Sequence, residues 1–286
     1  MIPSAFDYYA PTSLEEALSL LSTYGQEAKL LAGGQSLVPL MKLRLSKPKV
    51  VIDIGRVPQL DRIRLEGGNI AIGAGTTYSQ LEGSELLKSS CPLLPQTANL
   101  VADVQVRNQG TLGGALAHAD PAADLPAAIL ALDAEVKLVG PGRERWVKAQ
   151  DFFITMLATA LSPEEIITEI RVPVMERVKT AYLKAAKRAE GFAIVGVAVC
   201  LKADQEGICE DIRIGLTGVT DKAYRADGAE KMIKGKKIDS RLIDEASTRV
   251  IDGVDVANDI NASVEYRSHL AHVYTARALE TVSGKP

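Results

Sequence analysis

The spacing of apolar and polar positions divides the chain into stretches with different periods. Leu14, Ala17, Leu18 and Leu21 form a stripe at helical spacing. Ser13 and Glu16 ahead of it have the separation of a capping box, and Gly25 is placed to end the helix. A strand over residues 29–32, a glycine turn, a segment over 36–45 that is apolar on one side, and a strand at Val50-Val51-Ile52-Asp53-Ile54 complete a unit over residues 1–55. The period then shortens. Residues 62–65 and 70–74 flank Gly67-Gly68-Asn69 and predict a hairpin. A helix-rich stretch follows to residue 100, then a glycine-rich segment at 110–114 and a helix near 124–132. A strand pair around Gly140-Pro141-Gly142 and a strand-like run ending at Pro173 close the second unit, 56–176. The apolar pattern lapses at 174–178. The third unit, 177–286, opens with strands at 193–202 and 208–216 and ends in helical segments near 225–234, 240–250 and 263–281, a small sheet covered by helices. The whole reads as α+β.

Composition narrows the choice of partner. A net charge of -3 on 286 residues leaves no basic excess to attract nucleic acid. The N-terminus lacks the basic flank and apolar stretch of a signal peptide, and no run has the length of a membrane span, so a cytoplasmic location is expected. Cys91, Cys200 and Cys209 are too scattered for a disulfide framework or metal cage, which assigns any iron-sulfur centre to another chain.

Two glycine clusters stand where a strand meets a turn: Ala32-Gly33-Gly34-Gln35-Ser36 and Gly110-Thr111-Leu112-Gly113-Gly114-Ala115. Paired glycines let backbone N–H groups approach an anion, and a neighbouring Ser or Thr adds a hydroxyl. Two such loops can clamp a pyrophosphate; on spacing alone they can equally be tight turns. Neither fits G-x-G-x-x-G, and no phosphate loop of the G-x-x-x-x-G-K-S/T kind occurs. Residues 115–124, ALAHADPAAD, hold His118, Asp120 and Asp124, either a metal site or a polar loop in which Asp124 caps the next helix.

At these loops the sequence resembles a known family, the FAD-binding medium subunits of carbon monoxide dehydrogenase, quinoline oxidoreductase and related molybdenum hydroxylases, and the flavin domain of xanthine dehydrogenase. The resemblance rests on LAGGQSLVPLMKLRL at 31–45 and VRNQGTLGGALAHADPAADLP at 106–126, and continues through LSPEEIITEIRVP at 161–173 and YLKAAKR at 182–188. It implies a two-subdomain PCMH-type FAD-binding domain followed by a small α+β C-terminal domain. It also implies noncovalent FAD. Leu31, Ala32, Gly33, Gly34, Gln35, Ser36 and Leu37 would lie along the pyrophosphate, with Gly110, Thr111, Leu112, Gly113, Gly114 and Ala115 as the second clamp. Asp124 would reach toward the adenosine, Val101 would sit near the isoalloxazine, Ile167 would line the nucleotide, and Lys184 would approach the flavin from the C-terminal domain.

Three positions depart from the family pattern. Gln35 stands where relatives carry His or Asn. Ala115 replaces an Asn and leaves only its backbone to serve. Val101 replaces the aromatic of the xanthine enzymes, against a nicotinamide site of their type.

The resemblance implies partners as well: a large molybdopterin-binding subunit and a small subunit with two two-iron two-sulfur clusters, in a dimer of heterotrimers. This chain would relay electrons from those clusters through FAD to an external acceptor, with no catalytic residue of its own. The rival readings are a stand-alone FAD-dependent oxidase or reductase and a scaffolding subunit whose flavin site has decayed.

Overall fold

The computed structural model describes residues 1–284. The chain begins with β1 (Asp7–Tyr9), α1 (Leu14–Tyr24), β2 (Ala28–Leu31), α2 (Leu37–Lys42) and β3 (Val50–Asp53). Ser13 Oγ accepts the Glu16 N–H of α1, while the Glu16 carboxylate accepts from Thr12 N–H, one residue before the position a capping box requires. Gly25 ends the helix at φ 50°. The strands form a parallel sheet in the order β1-β3-β2. β3 is central, so its valines and isoleucine are buried. β1 was not expected; three residues, two of them exposed, leave too little pattern.

Next come β4 (Ile63–Glu66), β5 (Asn69–Gly73), six helices, and β6 (Glu135–Gly140) with β7 (Arg143–Lys148). The helices are α3 (Tyr78–Gly83), α4 (Glu85–Ser90), α5 (Leu93–Asn99), α6 (Val104–Arg107), α7 (Leu112–His118) and α8 (Asp124–Ala131). After β7 follow the short α9 (Ala149–Phe152), β8 (Phe153–Thr155), β9 (Ala158–Thr159) and the long β10 (Ile166–Pro173). The main sheet is antiparallel in the order β4-β5-β10-β6-β7. Gly67 and Gly68 both take positive φ, 56° and 80°, which is what a tight hairpin between right-twisted strands demands.

The last sheet is antiparallel and runs β11 (Val178–Ala185), β12 (Val195–Ala203), β13 (Cys209–Thr217) and β14 (Tyr224–Arg225), in that order. α10 (Asp227–Ile233), α11 (Ser240–Thr248) and the terminal α12 (Val264–Ser283) cover one face. The sheet therefore starts at Val178, one strand earlier than its apolar pattern indicated. β11 carries Lys179, Thr180 and Lys184 among its apolar residues, which breaks the alternation.

The other face of this sheet lies on α8. β12 sends Ala198 and Cys200 into the central core while Val195, Val197, Val199 and Leu201 enter the C-terminal core, so the strand is apolar throughout. Gly215 permits the close approach: a Cβ there would stand 2.1 Å from the Ala127 carbonyl oxygen of α8.

Where 161–165 enters β10, Glu165 accepts the Arg145 guanidinium through both oxygens, at 2.8 and 2.7 Å, and the Ser162 N–H at 2.9 Å. These donors hold its carboxyl down to about 2. A depressed carboxyl contributes stability above its unfolded value, about 4.3, and loses it as pH falls through the folded one. Arg145→Met should cost about 1–3 kcal/mol at neutral pH, with the difference from wild type narrowing between about pH 4 and about pH 2. Urea denaturation at several pH values checks both parts.

Candidate functional site

The first glycine cluster joins β2 to α2. Gly34 adopts φ 74°, and Val38 N–H closes the turn onto the Gly34 carbonyl at 3.0 Å. The amides of Gly34, Gln35 and Ser36 have no acceptor within the protein among the described residues, and Gln35 and Ser36 are exposed. These donors lie in the five-residue turn between β2, which ends at Leu31, and α2, which begins at Leu37.

The second cluster is fastened to the connector after β5. Leu112 N–H donates to Thr76 O at 2.9 Å, Gly113 N–H to Ala74 O at 2.7 Å, and Tyr78 N–H to Gly110 O at 3.0 Å. Thr111 caps α7, its hydroxyl accepting Gly114 N–H at 3.1 Å.

The loops meet backbone to backbone. A Cβ on Gly33 would stand 1.9 Å from the Gln109 carbonyl oxygen and 3.0 Å from Gly110 Cα. Gly110 and Gly113 are equally constrained, by the Tyr78 ring at 2.5 Å and by Ala74 Cβ at 2.5 Å. Internal packing therefore accounts for these three glycines. Gly34 and Gly114 differ. The first needs its positive φ, and a Cβ on the second would crowd only the Thr111 capping hydroxyl, at 2.7 Å.

Asp124 is buried and opens α8 without capping it: Ala123 is the N-cap residue and makes no side-chain cap bond. That corrects the cap reading. Its carboxylate instead turns to β11, where Tyr182 O–H donates to Oδ1 at 2.6 Å and Lys184 Nζ to Oδ2 at 3.0 Å. Burial pushes the Asp124 carboxyl up, opposed by Lys184 and the Tyr182 hydroxyl. Lys184 also donates to the Leu100 carbonyl at 2.9 Å, at the C-terminus of α5. Arg107 donates to the next two carbonyls, Val101 at 3.1 Å and Ala102 at 3.0 Å. Two cations thus grip three successive carbonyls, the middle one belonging to Val101.

Of the residues singled out in the sequence, the structure brings Gly33 against Gly110, and Asp124 and Lys184 against each other next to Leu100, the neighbour of Val101. Ile167 is buried in β10, next to Thr168, whose carbonyl accepts the Ala74 N–H. Tyr182 and Arg107 were passed over. Both lie inside the segments that carry the resemblance, yet only the fold shows what they bind.

The ALAHADPAAD stretch does not gather into a metal site. Asp120 Oδ1 accepts Ala122 N–H in a local turn, Asp124 faces Tyr182 and Lys184, and no group of three metal-ligating side chains occurs among the described residues. A cavity of about 640 Å³ opens beside this loop, lined by Pro121, Ala122, Phe192, Thr220, Asp221 and Arg267 among others. None of the residues singled out lines it. Volume therefore does not locate the glycine loops, whose mutual approach is a backbone contact.

Residues 4–175 match the family described as the FAD binding domain in molybdopterin dehydrogenase. The chain belongs to this family. Residues 180–282 match the C-terminal domain of the CO dehydrogenase flavoprotein. The chain is 39% identical over 280 residues to the carbon monoxide dehydrogenase medium chain of Hydrogenophaga pseudoflava, covering 98% of this chain and 97% of that one. It is 37% identical to the glyceraldehyde dehydrogenase medium chain of Sulfolobus acidocaldarius over 283 residues, 99% of this chain and 100% of the relative. A structure of the Hydrogenophaga pseudoflava carbon monoxide dehydrogenase, in a form lacking the Mo-pyranopterin moiety, superimposes with a TM-score of 0.97 at 40% identity, over 99% of each chain. The fold is thus that of the FAD-binding medium subunits, an FAD-binding domain followed by the flavoprotein C-terminal domain. Among the described residues no helix is long and apolar enough to cross a membrane.

The loop contact yields a prediction about stability. Gly33→Ala should destabilise the protein by about 1–3 kcal/mol, because its methyl group meets fixed backbone at Gln109. A thermal melt of the variant beside wild type measures it.

Proposed function

We propose that this chain is the flavin relay of a molybdenum hydroxylase, taking electrons from two-iron two-sulfur clusters of a small partner subunit and delivering them to an external acceptor. The observation that carries the reading is the pairing of the two loops: the outward amides of Gly34, Gln35 and Ser36 stand on a turn held against the second glycine loop at Gly33. Unsatisfied N–H groups in a row are what a pyrophosphate requires, and the bare Cα of Gly114 leaves room for close approach. The residues present fit FAD on these grounds.

In this reading Leu31 to Leu37 hold one side of the pyrophosphate, and Gly110 to Ala115 the other. Ile167 lines the nucleotide, and Val101 lies against the isoalloxazine on a backbone fixed by Lys184 and Arg107. The Asp124 carboxylate, with both oxygens taken by Tyr182 and Lys184, acts beside Val101 through those two residues and not on the adenosine. FAD when bound, noncovalently, supplies the redox chemistry, accepting electrons singly and releasing them in pairs. The protein's part is to bind it and to fix the groups around it.

The organic substrate is chosen elsewhere. Relatives of nearly equal identity belong to a carbon monoxide dehydrogenase and a glyceraldehyde dehydrogenase, which is the pattern expected when a large molybdopterin-binding subunit selects the substrate. The assembly proposed is a dimer of heterotrimers in the cytoplasm.

An absorption spectrum of the purified chain, before and after heat release of its ligand, with chromatographic identification of what is released, tests the reading. Stoichiometric FAD is expected. Protein that is empty and takes up no added FAD would refute it. Gly114→Val should lose the flavin while retaining the wild-type far-UV circular dichroism; FAD retained at wild-type stoichiometry would remove that loop from the site.

A further inference from the structure

We propose that Tyr182 is a positioning residue of the flavin site, acting through Asp124 and Lys184 to set the backbone at Leu100, the residue that precedes Val101. The inference rests on the flavin reading above and adds to it a residue which contributes no direct contact. Tyr182 and Lys184 alternate along β11 and both point onto the N-terminal turn of α8, with Leu183 directed away into the C-terminal core. Tyr182 O–H takes one oxygen of Asp124 at 2.6 Å, which leaves the other for Lys184 Nζ at 3.0 Å. That same ammonium then reaches the Leu100 carbonyl at 2.9 Å.

The burial of the group makes the arrangement consequential. The side chains of Lys184 and Asp124 are only 5% and 4% exposed, so water cannot replace a lost partner. Gly196 opposite provides the space for the phenol: a Cβ there would stand 2.3 Å from the Tyr182 hydroxyl oxygen. Its neighbour across the sheet is Thr217, whose hydroxyl is committed to the carbonyls of Pro121 and Ala123, at 2.7 Å each. The groups that face Asp124 are Tyr182 and Lys184 from β11 and Tyr78 from α3.

The network also spans the chain. Asp124 and Tyr182 are 58 positions apart, and Lys184 and Leu100 84 apart. Docking of the C-terminal sheet is therefore what completes the segment around Val101, and the flavin site of the first two units depends on the third.

A pH titration of FAD retention tests this on the whole chain. A donor to a carboxylate favours its charged form, so removing the Tyr182 hydroxyl makes Asp124 easier to protonate. Protonation withdraws the counter-ion of Lys184. Tyr182→Phe should move the acid limb of FAD retention toward neutral pH by about one unit. It should also speed hydrogen exchange at the amide of Val101, which donates to the Ala98 carbonyl at 3.1 Å, in the flavin-free chain. Asp124→Asn should abolish the limb. Tyr224→Phe, which loses a 2.8 Å hydroxyl bond to the Val250 carbonyl within the C-terminal unit, is the control for stability alone and should leave the limb in place.

An unshifted limb in Tyr182→Phe, or the same shift in Tyr224→Phe, overturns the proposal. A wild-type exchange rate at Val101 overturns it as well, and that readout needs no flavin. A wild-type chain that binds no FAD refutes the flavin reading itself.

Discussion

The arrangement depends on α8 being enclosed on every side. All eight of its residues, Asp124 to Ala131, are buried, as befits a helix that packs on β12 and β13 of the last sheet and on α5, α7 and α9. Its composition permits this, since DLPAAILA has a single charge and mostly small or aliphatic side chains. The charge is at the first position. Placed there, Asp124 emerges where α8 meets β11, and its neutralisation by Tyr182 and Lys184 joins the two halves of the molecule. Gly215 lets β13 lie on the Ala127 carbonyl, and so sets the distance at which those side chains can reach.

Much of this was legible in the sequence, for identifiable reasons. An apolar stripe at helical spacing marked α1, a continuous apolar run marked β12, and the Gly67-Gly68 turn marked the β4–β5 hairpin. Elements whose burial is one-sided or brief escaped: β1 is three residues long, β8 and β9 are shorter than a pattern can show, and β11 carries Lys179, Thr180 and Lys184 among its apolar residues. Periodicity reports burial. A strand that presents Lys184 to a buried carboxylate is buried without being apolar, and so carries a weak signal where its function is densest.

The glycines show a related ambiguity. Tight turn and anion cradle were equal alternatives on spacing, and internal packing alone accounts for most of these glycines. Gly33, Gly110 and Gly113 are required by contacts with Gln109, Tyr78 and Ala74, all internal. Gly34 is required by its positive φ, and a Cβ on Gly114 would crowd only the Thr111 capping hydroxyl. A glycine-rich motif can thus be specific to a family while most of its glycines serve the packing that brings the loops together.

The polar side chains around Val101 lead to the same division of labour. Lys184 and Arg107 spend their N–H groups on protein carbonyls, and Asp124 spends its oxygens on Tyr182 and Lys184. A general acid or base must present a proton or a lone pair to a reacting group, whereas these groups are turned toward each other and toward the backbone. Their combined effect is rigidity in a segment that would otherwise be a loop between α5 and α6, with Ala102 held at φ 44°. Rigid surroundings suit an electron relay, in which the chemistry belongs to the cofactor and the protein contributes by holding distances and charges constant.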